Sequence, residues 1–206
     1  MPRALAGLYK DEELAVIKNF PLVTIEKMQG HSAKDASGKP VFLWQDEATL
    51  AAARQVKQAN PNASVIIWLD TELIYTGWNW PEGKGPHQVN HTFNPDAHKC
   101  GQAHFRPAEF VEQHPDFLLK NTSGLPALES WSGCHVYDHT QQQVRDYWRD
   151  EVCLKNTASG VIDGCGADFS THTCGGINVS GAACAAWKVG HEQMMRDTTA
   201  ALGDGL

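Results

Sequence analysis

The chain has 206 residues, of which 42% are hydrophobic and 20% charged, a composition that fits one globular domain with a sizeable core. Its formal net charge of -7 and its lack of a Lys/Arg stripe or basic tail argue against a nucleic-acid partner. No apolar run approaches the roughly 20 residues of a membrane-spanning helix, so we expect no membrane partner either.

The first part of the chain predicts two helix-strand units. Three acidic residues favour the start of a helix over Tyr9–Phe20, and Pro21 ends it before a short β-branched strand near Leu22–Met28. An apolar stripe predicts a second helix over Asp46–Asn60, and the run SVIIWLD indicates a second strand near Val65–Asp70.

The later part of the chain predicts two further strand-helix units after a long loop. Residues 76–107 are rich in Gly, Pro, His and Asn, and loops of this length are usually functional or disordered. A third strand is expected near His135–Asp138, before a helix over Gln141–Asn156. A fourth strand is expected near Val161–Asp168, before a last helix over Gly181–Leu202.

The fourfold alternation of strands and helices predicts an α/β protein with a parallel sheet. Because a closed (β/α) barrel takes about 250 residues, we expect residues 1–206 to form one barrel-like domain. This domain would be a partial TIM barrel of about four βα units, truncated at its C-terminus, with an open sheet as the alternative. Ligands bind where parallel strands end, which favours a functional Asp168. Asp163 lies about 16 Å away at the other end of the strand and is expected to cap or neutralise the sheet there.

Cysteines and glycosylation motifs favour a secreted, disulfide-bonded glycoprotein. Six cysteines form an even set without a CxxC pair, which fits disulfides better than a zinc finger, although scattered free thiols are an alternative. Cys165 and Cys174 are one candidate pair. The N-terminal residues do not resemble a signal peptide, so the compartment is inferred from these side chains alone. The four Asn-x-Ser/Thr motifs begin at Asn62, Asn90, Asn121 and Asn178.

The run VYDHTQQQVRDYWRDEV followed by SGVIDGCGAD resembles a pattern of TIM-barrel glycoside hydrolases. In that pattern an aspartate ends one strand, the next helix carries V-R-x-Y-W, and the next strand reads D-G-x-x-x-D. The resemblance extends to FPLVTIEKMQG and SVIIWLDTEL, and it is closest to the poorly characterised glycoside hydrolase-like families. It implies that Asp168 is a nucleophile or a transition-state-stabilising carboxylate, while the acid/base commonly comes from a later strand that this chain lacks.

Carboxyl groups near the predicted strand ends are the candidate catalytic residues. Glycosidic hydrolysis needs one carboxylate to stabilise an oxocarbenium-like centre and one protonated carboxyl group to serve the leaving oxygen. We interpret Asp168 as the first group. The candidates for the second are Glu26, Asp70, Glu72 and Asp138, each of which could instead be an ordinary salt-bridge carboxylate.

Aromatic and imidazole side chains near strand ends are the candidate contacts to a carbohydrate substrate. Trp78 and Trp80 follow the second strand in a loop, where indoles can stack on sugar rings or cover the loop's own small core. Trp68, within a strand, is interpreted as a packing residue. The other candidate substrate contacts are Glu72, Trp131, His139 and His172.

Two other classes of function stay open alongside a hydrolase. Histidines crowd residues 87–104, and such clusters can bind zinc or copper. Their spacing matches no closed zinc module, so we predict no metal and no cofactor. The other alternative is a non-catalytic carbohydrate-binding module. Release of reducing sugar separates an enzyme from a binding module, and metal analysis separates both from a metalloprotein.

Overall fold

The computed structural model describes residues 8–26, 35–37, 45–74, 113–129, 134–168 and 174–203, and it is a mixed α/β structure. The elements in chain order are α1 (Asp11–Ile17), β1 (Leu22–Glu26), α2 (Gln45–Ala59), β2 (Ser64–Asp70), β3 (Leu73–Ile74), a 3-10 helix (Pro115–Phe117), β4 (His135–Val136), α3 (Gln142–Tyr147), a π-helical segment (Trp148–Leu154), α4 (Lys155–Thr157), β5 (Gly164–Asp168) and α5 (Gly181–Leu202). No helix in these ranges is long and apolar enough to cross a membrane.

The main sheet has three parallel strands in the order β1-β2-β5. Successive side chains of a strand point to opposite faces, and the alternation on β2 separates a buried face from a partly exposed one. Val65, Ile67 and Leu69 lie on the buried face with Ile25 of β1, and they pack in the main core cluster, which includes Val56 of α2. The helices therefore cover the face that carries the branched apolar side chains.

The segment near His135–Asp138 is not a strand of this sheet, so its prediction as a third parallel strand is wrong. Its residues His135 and Val136 form β4, which pairs antiparallel with β3 in a separate two-stranded sheet. As a result, β2 pairs directly with β5. The physical reason is that a short apolar run fixes neither the partner nor the direction of a strand. Here β4 pairs with β3, which begins shortly after the end of β2.

The helices follow the apolar periodicity closely. The predicted helix over residues 181–202 has the bounds of α5, where Ser180 caps the start by accepting a hydrogen bond from the backbone N–H of Ala183 at 3.1 Å. The predicted helix over Gln141–Asn156 is helical from Gln142 to Thr157, but its centre is π-helical. Such π-bulges in helices frequently occur at functional sites.

Two disulfides confirm that cysteines of this chain are oxidised, while the predicted Cys165–Cys174 pair is wrong. Cys153 pairs with Cys165, and Cys174 pairs with Cys184, each with a Cα–Cα distance of 5.9 Å. Cys165 lies on the helix-covered face of β5, as the register partner of Ile67, and it therefore meets the π-helical segment. The spacing of cysteines along the chain does not show which face of the sheet Cys165 lies on.

Asp163 joins α2 to the amino end of the sheet, directly before β5. Its Oδ2 lies 2.7 Å from the Nζ of Lys57 and accepts a hydrogen bond from the backbone N–H of Val65 at 2.7 Å. Lys57 also donates to the carbonyl oxygen of Ala63 at 2.8 Å. The predicted structural role of Asp163 at the end opposite Asp168 is therefore confirmed.

Candidate functional site

The carboxyl end of the parallel sheet brings two aspartates together. Asp70 ends β2 and Asp168 ends β5, and the two residues are register partners on neighbouring strands. Register partners on parallel strands lie on the same face, with the strands about 4.8 Å apart. Asp70 is 8% exposed, and Asp168 is half-buried. Both carboxyl oxygens of Asp70 are buried, so a buried carboxyl group neighbours a residue that is only half-buried.

Two aromatic side chains interact with Asp70, one through a hydrogen bond and one through electrostatics. The indole Nε1 of Trp148, the first residue of the π-helical segment, donates a hydrogen bond to the carbonyl oxygen of Asp70 at 2.8 Å. Burial is the main reason that the pKa of Tyr137 lies well above its ordinary value, and the charges of Tyr147 and Asp70 add to it. The Tyr137 phenol is therefore neutral and lies within electrostatic reach of the Asp70 carboxylate.

Thr71 connects the two strand ends. Its backbone N–H donates to the carbonyl oxygen of Asp168 at 3.1 Å, and its hydroxyl donates to the same oxygen at 2.9 Å. Because Thr71 follows Asp70 directly in the chain, these two hydrogen bonds fix the backbone of Asp168 relative to that of Asp70. The register of the carboxyl pair is thus held just beyond the last residues of both strands.

Two fully buried histidines make hydrogen bonds to Thr71. His139 Nε2 lies 2.6 Å from the carbonyl oxygen of Thr71, so this nitrogen carries the proton, since a carbonyl can only accept. His191 Nε2 lies 2.9 Å from the Thr71 hydroxyl. That hydroxyl gives its hydrogen to Asp168, so it accepts here, and His191 also carries its proton on Nε2.

His139 lies in buried surroundings that disfavour its protonation. Burial, the neighbouring His191 and the charge of Arg145 lower the pKa of His139 to about 3, against the effect of its hydrogen bond to Thr71. The ring of Trp187 stacks on His191 with centroids 5.4 Å apart and an interplanar angle of 4°. His139 is therefore a neutral hydrogen-bond donor at physiological pH.

The other predicted carboxyl groups differ in their surroundings. Glu26 ends β1 on the same face as the aspartate pair and is exposed, one strand away from Asp70. Glu72 is buried in the turn between β2 and β3. Glu26 thus lies at the same edge of the sheet as the aspartate pair, and Glu72 lies just beyond β2.

Asp138 organises the turn ahead of α3. Its Oδ1 accepts hydrogen bonds from the backbone N–H and the hydroxyl of Thr140 at 3.2 and 2.6 Å, and its Oδ2 accepts one from Gln141 at 2.8 Å. This local pattern is typical of an Asx turn before a helix. Both carboxylate oxygens of Asp138 are thus hydrogen-bonded to residues that follow it in the chain.

Several predicted contacts concern residues beyond those that the structure describes: Trp78, Trp80, Trp131, His172 and the histidine-rich residues 87–104. His139, predicted as a substrate contact, is fully buried behind Thr71. Within the described ranges, no group of three or more His, Cys, Asp and Glu side chains could hold a metal ion.

Sequence reasoning missed Thr71, His191 and Trp187. Thr71 carries one visible signal, because a hydroxyl residue directly after a strand-ending aspartate can bond to a neighbouring strand end. His191 and Trp187 are one helical turn apart on α5, so they share a face of that helix. The same spacing also fits an ordinary apolar stripe, and it does not point to Thr71.

The sequence was compared with known proteins and protein families. A search of curated proteins finds no match to the chain. A family model described as hypothetical glycosyl hydrolase family 15 matches residues 57–206, which include β2, β5, Thr71 and both histidines. This match spans most of the chain. The chain therefore belongs to hypothetical glycosyl hydrolase family 15.

Proposed function

We propose that the protein is a glycoside hydrolase that cleaves a poly- or oligosaccharide with carboxyl groups at the carboxyl end of its parallel sheet. The observation that carries the proposal is the register pairing of Asp70 with Asp168. Two carboxyl groups on one face at the end of parallel strands are what glycosidic hydrolysis requires. The family's description supports the same chemistry.

Asp168 is the proposed nucleophile or charge-stabilising carboxylate, and Asp70 is the proposed proton donor. The half-buried Asp168 is the member of the pair proposed to meet the anomeric carbon, and the more deeply buried Asp70 is the one proposed to give a proton to the leaving oxygen. Neighbouring strands are about 4.8 Å apart. Side chains that start this close together on one face can bring their carboxyl groups to the separation of about 5–5.5 Å that retaining enzymes use. We therefore favour retention of configuration.

The hydrogen bonds around Thr71 give the proposed site its rigidity. A catalytic carboxylate works only when its position is fixed to within a fraction of an ångström, and here two hydrogen bonds hold the backbone of Asp168. His139 and His191 hold Thr71 in turn. We assign these histidines as positioning residues and Glu26 as the next candidate carboxyl group. Glu72, Asp138, Trp78, Trp80, Trp131 and His172 remain predicted contacts or catalytic groups.

The parallel sheet is compatible with part of a TIM barrel. In such a barrel the helices cover one face of the strands, and the other face lines the interior. Here Ile25 and Val65 lie on the helix-covered face, whereas Thr24 and Trp68 on the other face are exposed. We propose that these strands form βα units of a barrel, with β5 in the position after β2 and with Trp68 in the layer of interior side chains next to the carboxyl ends, where it can face a bound substrate.

We propose a secreted, N-glycosylated form of the protein. Two disulfides fit an oxidising compartment. Asn62 and Asn178 are exposed, so a glycosyltransferase could reach them, whereas Asn121 is half-buried. The Oδ1 of Asn121 also accepts hydrogen bonds from the backbone N–H groups of Ser123 and Leu125. Of these three motifs, Asn62 and Asn178 are therefore the expected glycosylation sites.

The test is an assay of reducing-sugar release by protein produced to the natural stop codon of its reading frame, on a panel of glucans, xylans, mannans, galactans and chitin oligomers. Asp70→Asn should abolish hydrolysis of the polysaccharide that the wild type cleaves. It should still release a burst of phenol from an aryl glycoside whose leaving group needs no proton, while later turnover is slow because a retaining mechanism uses the same residue as the base that activates water. Asp197→Asn is the matched control, because Asp197 is a half-buried aspartate of α5 that accepts a hydrogen bond from Gln193.

Three outcomes would contradict this account. Wild-type protein that binds a polysaccharide without releasing sugar would make the chain a binding module. Loss of this phenol burst in Asp70→Asn would remove Asp70 as the proton donor. A loss of activity on removal of bound metal would favour the metalloprotein instead.

A further inference from the structure

Trp68 has an exposure that is unusual for its place in the sheet. It lies on β2, the central strand, between β1 and β5. Nevertheless, 38% of its surface is exposed, although tryptophans are highly buried on average. The residues before and after it, Ile67 and Leu69, are at most 2% exposed on the opposite face. Trp68 thus presents a large apolar surface to solvent from the middle of the sheet.

A glycine on the neighbouring strand makes room for this indole. Gly166 of β5 is the register partner of Trp68. A Cβ atom at Gly166 would overlap Cε3 and Cζ3 in the six-membered ring of Trp68. The indole therefore lies directly against the backbone of β5, in a space that a glycine provides. One part of the ring is supported by the sheet, and the remainder is accessible.

The exposed indole lies in line with the carboxyl pair. Trp68 precedes Asp70 by two residues on β2, and Gly166 precedes Asp168 by two residues on β5, so all four residues share one face of the sheet. Two residues of strand span about 6.6 Å. That length is comparable to one sugar residue, so a pyranose ring over Trp68 would direct its linkage toward the two carboxyl groups.

We propose that Trp68 is a substrate-stacking residue, on which a pyranose ring packs one sugar away from the Asp70–Asp168 pair. The inference rests on the proposed function and adds to it a binding subsite whose floor is Trp68 on Gly166. The negative face of an indole attracts the polarised C–H bonds on the apolar side of a sugar. The substrate class is therefore a saccharide with an unobstructed C–H face at this position.

Three variants test the subsite on the polysaccharide that the wild type cleaves. Trp68→Leu keeps an apolar side chain but removes the flat ring, and we expect KM to rise about tenfold, with a smaller change in kcat. Trp68→Phe keeps a ring and should recover much of the affinity. Gly166→Ala keeps Trp68 but pushes its indole off the strand, so it should raise KM as Trp68→Leu does.

The control for the glycine substitution is Gly181→Ala, because a Cβ atom there meets no atom within 4 Å. It should leave KM unchanged, and thermal melts should confirm that every variant is folded. Unchanged KM in folded Trp68→Leu would overturn the inference, even if Asp168→Asn loses its turnover and the proposed function stands. Wild-type protein that neither binds nor cleaves any polysaccharide of the panel would overturn both.

Discussion

Asp70 and Asp168 are register partners at the carboxyl ends of two parallel strands, and Thr71 fixes them to each other through the carbonyl oxygen of Asp168. They come from strands almost a hundred residues apart in the sequence. Trp148 of the π-helical segment, His139 of the turn before α3 and His191 of α5 each make a hydrogen bond to Asp70 or Thr71 at the same strand end. Hydrogen bonds between segments that are distant in the sequence therefore meet at the candidate site.

Asp163→Asn should lower stability and leave turnover nearly unchanged. The carboxylate of Asp163 binds Lys57 and accepts from the backbone of Val65 at the end of the sheet opposite the candidate site. Loss of its charge weakens both contacts, with an expected cost of about 1–2 kcal/mol in the free energy of unfolding. Urea denaturation measures the first effect and sugar release the second. A stable but inactive variant would place the functional end of the strand at Asp163.

Gly190→Ala should destabilise the protein strongly, although alanine favours helices. A Cβ atom at Gly190 would clash with the backbone carbonyl group of His139, so α5 would have to move away from the turn that carries this histidine. We expect a net loss of at least about 2 kcal/mol after the gain in helix propensity. Gly181→Ala, in open space on the same helix, should show no such loss. Equal melting temperatures for the two variants would refute this close approach.

His139 should make stability depend on pH between about 3 and 6.5. Because burial lowers the pKa of His139 to about 3, the unfolded chain binds a proton in this range and the folded chain does not. The contribution of His139 is therefore fully present above pH 6.5. It declines by up to about 1.4 kcal/mol for each pH unit below that value.

The comparison that isolates this effect is His139→Gln. The glutamine amide can still donate to the carbonyl oxygen of Thr71, but it has no proton to gain in this range. Chemical denaturation at a series of pH values should give a shallower acid slope for the variant than for the wild type. Parallel slopes would mean that His139 is not the neutral, buried donor described above.

Peptide mapping under non-reducing conditions should recover the pairs Cys153–Cys165 and Cys174–Cys184. The first pair ties β5 to the π-helical segment, so Cys153→Ser should lower stability by about 2–4 kcal/mol. Protein from an oxidising host is the appropriate material. Recovery of a peptide that joins Cys165 to Cys174 would instead support the pairing expected from spacing.

Local patterns in the sequence were enough to predict several elements. Gly181–Leu202 follows a Ser N-cap and ends before a glycine, so the bounds of α5 could be predicted from these signals. The positions of Asp163 and Asp168 at opposite ends of one strand could also be predicted from the length of the extended run between them. β5, however, begins at Gly164 rather than at Val161.

The predictions that failed concern contacts between segments that are distant in the sequence. The apolar run near His135 specifies extended structure, but it does not specify the antiparallel pairing with β3. The pairing of Asp70 with Asp168 could not be predicted for the same reason, because β2 meets β5 directly only when β4 does not lie between them. Thr71 and His191 are separated by 120 residues, and no spacing rule connects them.

The most direct test of the account is the turnover of Asp168→Asn, because asparagine keeps the shape of the side chain and removes its charge. We expect kcat on the cleaved polysaccharide to fall by at least about a thousandfold, with a melting temperature within a few degrees of the wild type. Asp197→Asn, measured in parallel, should retain full turnover. Wild-type kcat in a folded Asp168→Asn variant would contradict the assignment of this sheet edge as the catalytic site.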